Sequence, residues 1–368
     1  MRSLPEMASD ITRAETLPGW AYTDPEVYAA QVEQVFARSW QFVCNTEVVR
    51  VPGEVFPFVL LEGSLHEPLV LTRDEHDRVH ALSNVCTHRG HLVVLASGGV
   101  HRHLTCRYHG RRFGLDGRFE FMPEMKQANG FPRPCDSLPK VACEAFGPWL
   151  FVSLDPAMAF DAWVADLRQR LGHIPWSEFR LDPSRSRDYL VQANWMTYCD
   201  NYLEGFHIPY VHASLNEVVD YGQYRTELFE WGSLQVGVAS RTDGGTPVFD
   251  LPSGHPDAGQ RIAAYYYWLW PNTMLNVYPW GLSVNLVQPL GVDRTRVRFR
   301  SYVWNPHLLD HGAGADLDRV EREDEAVVER VQVGLRSRLY KPGRYSPSRE
   351  SGVHHFHRLV TQTLRLPS

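Results

Sequence analysis

Several absences narrow the reading of this sequence first. It has only six cysteines in 368 residues, and they do not form the paired spacings of a disulfide framework. That argues against a small stapled secreted domain and for a reducing cytosol, so a cytoplasmic location is expected. No stretch approaches the roughly 18 consecutive apolar residues that a membrane span needs. The first thirty residues, with Asp10, Arg13, Glu15 and Asp24 among them, lack the continuous apolar run of a signal peptide. Charge of neither sign is in large excess: a net charge of −6 gives no reason to expect nucleic acid or an anionic membrane as partner. No G-x-G-x-x-G fingerprint opens a helix, so no nucleotide-binding domain is evident. Repeats and low-complexity segments are missing too. What remains, 43% hydrophobic and 22% charged residues, is ordinary globular composition in a chain long enough for two domains.

Against that background one segment stands out, CTHRGHLVVLASGGVHRHLTCRYH from Cys86 to His109. Cys86 and His88 are separated by one residue, and Cys106 and His109 by two. Two thiolates and two imidazoles on two short loops are the set that holds a [2Fe-2S] cluster of Rieske type, with the cysteines on one iron and the histidines on the other. Four such ligands would also satisfy a structural zinc ion. Zinc fingers usually pair like with like, whereas each half-site here is mixed, which favours the cluster. CTHRG and CRYHG resemble the ligand loops of the Rieske non-heme mononuclear iron oxygenases, catalytic alpha subunits with two metal sites. Respiratory Rieske proteins carry an extra, disulfide-forming cysteine in each loop; His91 and Tyr108 stand at those places here, and the resemblance is therefore to the oxygenase branch.

Taken in order, residues 1–24 read as a loose arm broken by Pro5, Pro18 and Gly19. A helix follows over 25–38, with Asp24 as N-cap and Pro25 at its first position. Residues 1–39 are expected to form an N-terminal arm and helix packing on the catalytic domain. From 40 to 155, short apolar runs such as PLVLTRD and GPWLFVSLDP alternate with turn residues, which predicts a small antiparallel β-domain carrying the ligand loops. Residues 156–368 form a second domain. It has a helix over 160–173, a chain broken at Pro175 and Pro183 before the strand-like DYLVQA, a helix from Trp195 to about His207, long alternating strands over 223–305 and a helix over 316–338. Arg294, Arg296, Arg298 and Arg300 alternate with Thr295, Val297, Phe299 and Ser301, the period of a half-buried strand. The fold class is α+β: an all-β Rieske domain followed by one curved antiparallel sheet wrapping a helix. This order resembles the helix-grip catalytic domain of the oxygenase family.

A second ligand set lies in NWMTYCDNYLEGFHIPYVH, 194–212. Glu204 and His207 are three apart and would share a helix face. His207 and His212 would diverge by about 140° on a continuous helix. Pro209 should end that helix near His207 and let the chain bring His212 back. Two imidazoles and a carboxylate on one side of a mononuclear Fe(II) leave positions open for O2 and substrate. For the carboxylate, Asp324 falls within about 60° of every member of the stripe Leu317, Val320, Val327, Val328, Val331 and Leu335. Glu321 lies at its edge as the second candidate, while Glu323, Glu325 and Glu329 point away. An arginine partner for Asp324 would be the purely structural alternative. The segment EDEAVVERVQVGL resembles the family's late acidic helix, whose aspartate is the third iron ligand.

The resemblance also implies an NAD(P)H-dependent reductase, with or without a ferredoxin, as electron donor. It implies a homotrimer in which the cluster of one subunit feeds the iron of the next through a bridging carboxylate. Glu204 matches that bridge by position, joining His109 to His207, and Asp200 is the other candidate. For the substrate, the aromatic run AYYYWLWPNTMLNVYPWG suggests either core filler or an aromatic cage for a quaternary ammonium group. CDNYLEGFHIPYVH and WPNTMLNVYPWG resemble the choline- and betaine-type monooxygenases more than the naphthalene-type group. The expected activity is hydroxylation or N-demethylation of a small quaternary ammonium or amine compound. Aromatic-ring hydroxylation is the alternative within the class, and an electron-transfer protein holding only the cluster is the alternative outside it.

Overall fold

A computed structural model of the chain describes residues 4–240 and 245–364. Two compact units divide it: residues 37–157, and residues 1–36 together with 158 onward. The N-terminal segment is not a loose arm. Ala14 and Leu17 are fully buried, Thr16 N donates to Gly343 O, and Glu15 bridges Arg344. Two apolar side chains anchor a segment whose Pro and Gly residues only shape its turns. Helix α1 (Trp20–Thr23) leads into α2 (Pro25–Gln31), where the Asp24 side chain accepts from Glu26 N as the cap requires. A π-helical turn continues to Phe36.

The unit over 37–157 is β-structure. Its strands are β1 (Gln41–Asn45), β2 (Val55–Leu60), β3 (Glu67–Arg73), β4 (Val79–Ser83), β5 (Leu104–Thr105), β6 (Arg112–Phe113), β7 (Phe119–Phe121), β8 (Lys140–Phe146) and β9 (Trp149–Ser153). They form a six-stranded sheet in the order β1-β9-β8-β4-β3-β2 and a three-stranded sheet β5-β6-β7. Side-chain alternation divides the interior. Leu69 and Leu71 enter one apolar cluster; Val70 enters the other with Leu82, Cys86, Cys106 and Phe113.

In the other unit the helix expected over 160–173 comes as two pieces, α3 (Phe160–Trp163) and α4 (Ala165–Leu171). Strand β10 (Arg180–Val191) then runs through Pro183 instead of starting after it. The register against its neighbour slips between Asp182 and Arg187, so the proline is accommodated in an irregularity. Next come α5 (Trp195–Tyr202), α6 (Ile208–Val211) and α7 (Ala213–Val218). Strands β11 (Arg225–Phe229), β12 (Gly232–Val238), β13 (Ile262–Leu269), β14 (Thr273–Tyr278), β15 (Gly281–Gly291) and β16 (Arg294–Val303) follow, then α8 (Leu317–Leu335) and α9 (Ser351–Thr363). The sheet is antiparallel, ordered β10-β16-β15-β14-β13-β12-β11. Thr295, Val297, Phe299 and Ser301 of β16 are buried while its arginines are not. Every residue of β12, β13 and β14 is buried, so both faces of the sheet centre are covered. Helix α5 packs on β15, and α8 on α5 and β10, which is the helix-grip arrangement. Among the described residues no helix is long and apolar enough to cross a membrane.

Candidate metal centres and active site

The two cluster loops are built alike. Cys86 N donates to His91 O and Gly90 N to Cys86 O; Cys106 N donates to Arg111 O and Gly110 N to Cys106 O. Gly90 and Gly110 adopt φ +73° and +71°, a backbone region in which a side chain is strained. The Cys86 and Cys106 thiols are buried, while His88 is exposed and His109 half-buried. The two Nδ1 atoms are 3.2 Å apart. Burial first, and the adjacent Cys106 sulfur, push the Cys86 thiol up. Paired buried thiols and two imidazole nitrogens that converge fit a [2Fe-2S] cluster, whose iron would take the sulfurs as thiolates. Just past the second loop, Arg111 is buried over the rings of Phe113, Phe119 and Phe131. It donates to Asp136 Oδ1 at 2.8 Å and Asp136 O at 2.9 Å. The Thr87 hydroxyl of the first loop donates to the same carbonyl, so both ligand loops are tied to one residue.

In the other unit His207, His212 and Asp324 come together, each offering one ligand atom within 4.8 Å of the others. His212 Nε2 lies 3.0 Å and His207 Nε2 3.6 Å from Asp324 Oδ1. The remaining ring nitrogens are held from behind: His207 Nδ1 meets Glu204 Oε1 at 2.7 Å, and His212 Nδ1 meets Glu323 Oε2 at 2.8 Å. A proton kept on Nδ1 leaves the Nε2 lone pair for a metal, the arrangement that orients histidine ligands generally. Burial lowers the proton affinity of His212, but its bonds to Asp324 and Glu323 outweigh this and raise it. The site favours positive charge, which with two imidazoles and one carboxylate fits Fe(II).

The chain reaches this geometry by a different route from the expected helix. Helix α5 stops at Tyr202, and Glu204 lies in the following turn. Its carboxylate closes that turn by accepting from Phe206 N and His207 N. Gly205 packs so tightly that a Cβ there would come 2.5 Å from the Tyr224 ring. Pro209 does not end a helix: it sits in the first turn of α6, where its missing N–H costs nothing. Asp200 is engaged elsewhere, accepting from Tyr22 Oη and pairing with His357 Nε2, each at 2.8 Å. Glu323 corrects the helical-wheel reading: it is half-buried and meets His212, which stands at the junction of α6 and α7. Glu321, the second candidate for the third ligand, is buried and outside the converging set. Its Oε2 accepts from Tyr198 Oη at 2.6 Å, its Oε1 has no partner, and burial pushes its carboxyl well above the usual range.

These groups open onto a cavity of about 90 Å³. Gln235, Tyr266 and Asn276 form one rung of its sheet wall across β12, β13 and β14. Tyr202 and Tyr224 also line it, their hydroxyls donating to Asn276 Oδ1 at 2.6 Å and Gln235 Oε1 at 3.2 Å. Of the aromatics at 265–270 only Tyr266 lines the cavity. Tyr265 and Tyr267 donate to Asp257 and Asp166, and Trp268 and Trp270 pack on Phe356. Most of that run is core. The better signal was the buried amides Gln235, Asn276 and Asn285 within mostly apolar strands, since buried polar residues are the informative exceptions.

A cluster-binding β-unit and a helix-grip unit with a two-histidine, one-carboxylate site define a Rieske-type oxygenase. The chain belongs to that family: residues 39–137 match the Rieske [2Fe-2S] domain and residues 177–365 the ring hydroxylating alpha subunit catalytic domain. It is an oxidoreductase carrying a Rieske cluster and a mononuclear iron, and subunits of this kind work with an electron-transfer partner. The chain is 33% identical to a chloroplastic choline monooxygenase of Arabidopsis thaliana, over 97% of this chain and 84% of that one. To the carnitine monooxygenase oxygenase subunit of Escherichia coli K12 it is 28% identical, over 98% and 97%. Its structure resembles the quaternary ammonium Rieske monooxygenase CntA in complex with L-carnitine, with TM-score 0.77 and 25% identity over 99% of this chain and 100% of that one. A naphthalene 1,2-dioxygenase from Rhodococcus sp. shares the fold, with TM-score 0.72 at 19% identity over 96% and 95%.

Proposed function

We propose that this chain is the oxygenase component of a system that hydroxylates or N-demethylates a quaternary ammonium compound. The observation that carries this reading is the cavity wall of Tyr202, Tyr224, Tyr266 and Tyr278 beside His207, His212 and Asp324. Aromatic rings attract a quaternary ammonium through their faces, and the relatives named for choline and carnitine support the same substrate class. The reaction balances as R–CH3 + O2 + 2e⁻ + 2H⁺ giving R–CH2OH and H2O. On an N-methyl group the hydroxymethyl then loses its hydroxyl proton and the C–N bond breaks, giving the tertiary amine, formaldehyde and H⁺.

Cys86, His88, Cys106 and His109 would hold the cluster, and His207, His212 and Asp324 the iron. When bound, the cluster stores one electron and the Fe(II) supplies the site of O2 reduction. Glu204 and Glu323 keep the imidazoles aimed, and the tyrosine wall positions the methyl group. The second electron and the reloading come from an NAD(P)H-dependent reductase. In the proposed homotrimer, His109 of one copy meets Glu204 of the next. Exposed Phe206, two residues past Glu204, exposed Tyr210, and exposed Tyr108, tilted against His109 with ring centroids 3.7 Å apart, suit such a contact. Carnitine oxidation by the quaternary ammonium Rieske monooxygenase of gut microbiota involves inter-subunit electron transfer, which supports the same arrangement. Cys44, Cys135, Cys143 and Cys199, outside the cluster and in no disulfide, suit a reducing cytoplasm.

The test supplies purified protein with a surrogate reductase, NADH, and either trimethylammonium compounds or aromatic acids, following O2 uptake and product. Coupled oxidation of an ammonium compound is expected. Turnover of aromatic acids alone would overturn the reading. In the same assay Glu204→Gln should keep both metal centres and nearly abolish turnover; retained activity at normal metal content would remove the bridge.

A further inference from the structure

We infer that the substrate is a net cation, a quaternary ammonium with a neutral polar tail, and that Glu321 is the anion that selects it. The inference rests on the quaternary ammonium reading above and narrows it to one of two chemistries. The relatives divide here: choline is a cation, whereas the carnitine and gamma-butyrobetaine in the CntA complexes each carry a carboxylate as well.

Among the described residues, no lysine or arginine lines the cavity. A zwitterion would bring a carboxylate beside Glu204 and Asp324, with no lysine or arginine among the described lining residues to meet it. An unpaired buried charge is costly, and like charges at short range add to that cost. The polar groups that are present, Asn201, Asn276, Asn285 and the tyrosine hydroxyls, suit an alcohol or an ether.

Glu321 is the group placed to meet the cation. It lines the cavity, is 4% exposed, and keeps Oε1 without a partner while Tyr198 Oη holds Oε2. It is also not needed to complete the metal ligand set. A buried carboxyl with one idle oxygen has to be neutral or to meet a cation. Burial keeps it protonated in the empty cavity. An arriving cation reverses that balance, because an opposite charge nearby favours the ionised form. Glu321 thus charges only when the proper ligand fills the space.

The experiment is calorimetric binding of choline, tetramethylammonium and glycine betaine to the holoenzyme and to Glu321→Gln, with metal content and cluster spectrum checked for the variant. Choline and glycine betaine differ mainly in an alcohol against a carboxylate. Wild type should bind choline and tetramethylammonium at least tenfold more tightly than glycine betaine. Glu321→Gln should lose at least tenfold for both cations and little for betaine. Glycine betaine binding as tightly as choline to wild type would overturn the inference and leave the quaternary ammonium reading standing. Undiminished cation binding by a correctly loaded Glu321→Gln would overturn the role of Glu321. Failure of every ammonium compound to bind would instead sink the underlying reading, and this inference with it. The wild-type ratio needs no variant, so a Glu321→Gln that fails to fold leaves the test intact.

Discussion

At neutral pH an unfolded chain ionises Glu321, whereas burial in the fold raises its carboxyl well above the ordinary value of 4.5. The folded state therefore keeps a proton that the unfolded state has lost. Stability is full below about pH 4.5 and falls as pH rises toward the folded value. Glu321→Gln removes that cost, so it should melt higher than wild type at about pH 7.5, with the gap fading toward pH 4. A gap independent of pH would show that the carboxyl is not held neutral. Substrate-free protein is the right sample, since a bound cation would offset the cost. A carboxyl kept at the expense of stability is the pattern of a functional site. Asp324 was legible from sequence because the apolar period of α8 turned it inward, although the stripe is only partly the buried face: Val331 is exposed, while Glu321 and Gln332 are buried with Val328 and Leu335. Glu323 was not, because its partner His212 arrives from another element. Glu323→Ala, which removes the acceptor that a Gln would keep, should weaken metal binding at the mononuclear site about 10- to 100-fold, measured by metal titration with the cluster intact. Unchanged affinity would mean that Glu323 orients nothing.

At the scale of elements, the start of α5 was readable and its end was not. Asn194 accepts from Met196 N as an N-cap should. The break, however, falls near Gly205, and Pro209 opens the next helix where a break was expected. Proline restricts the residue before it, yet it also fits the first turn of a helix; here Pro209 takes the second place, and Gly205 packs on Tyr224 at the break. Gly205→Ala should displace the Tyr224 ring from the cavity wall. KM should rise several-fold with iron content unchanged, and an unaltered KM would show that the ring does not bound the substrate. In the β-unit, the CTHRG and CRYHG text marked the ligand loops but not Arg111, a buried cation that nothing in the local pattern separates from exposed Arg107. Net charge and hydrogen bonding near a cluster set its potential. Arg111→Met should therefore lower the cluster midpoint, each tenfold change in the equilibrium being 59 mV for one electron. An unchanged midpoint in a potentiometric titration would confine Arg111 to tying the loops.

For the molecule as a whole, the order of elements was legible because both periodicities are strong: period two in β16, and the apolar stripe of α8. The N-terminal segment was misread because isolated buried residues such as Ala14 and Leu17 leave no periodic trace. Long-range closure against Gly343 and Arg344 is equally invisible to local pattern. The central claim is that one chain holds two independent metal sites, a relay cluster and a separate iron that does the oxidation. The most direct measurement is iron content and visible spectrum of Asp324→Ala beside wild type. The account predicts a fall from about three irons per chain to about two, with the cluster spectrum intact and turnover lost. An iron count equal to wild type would contradict it.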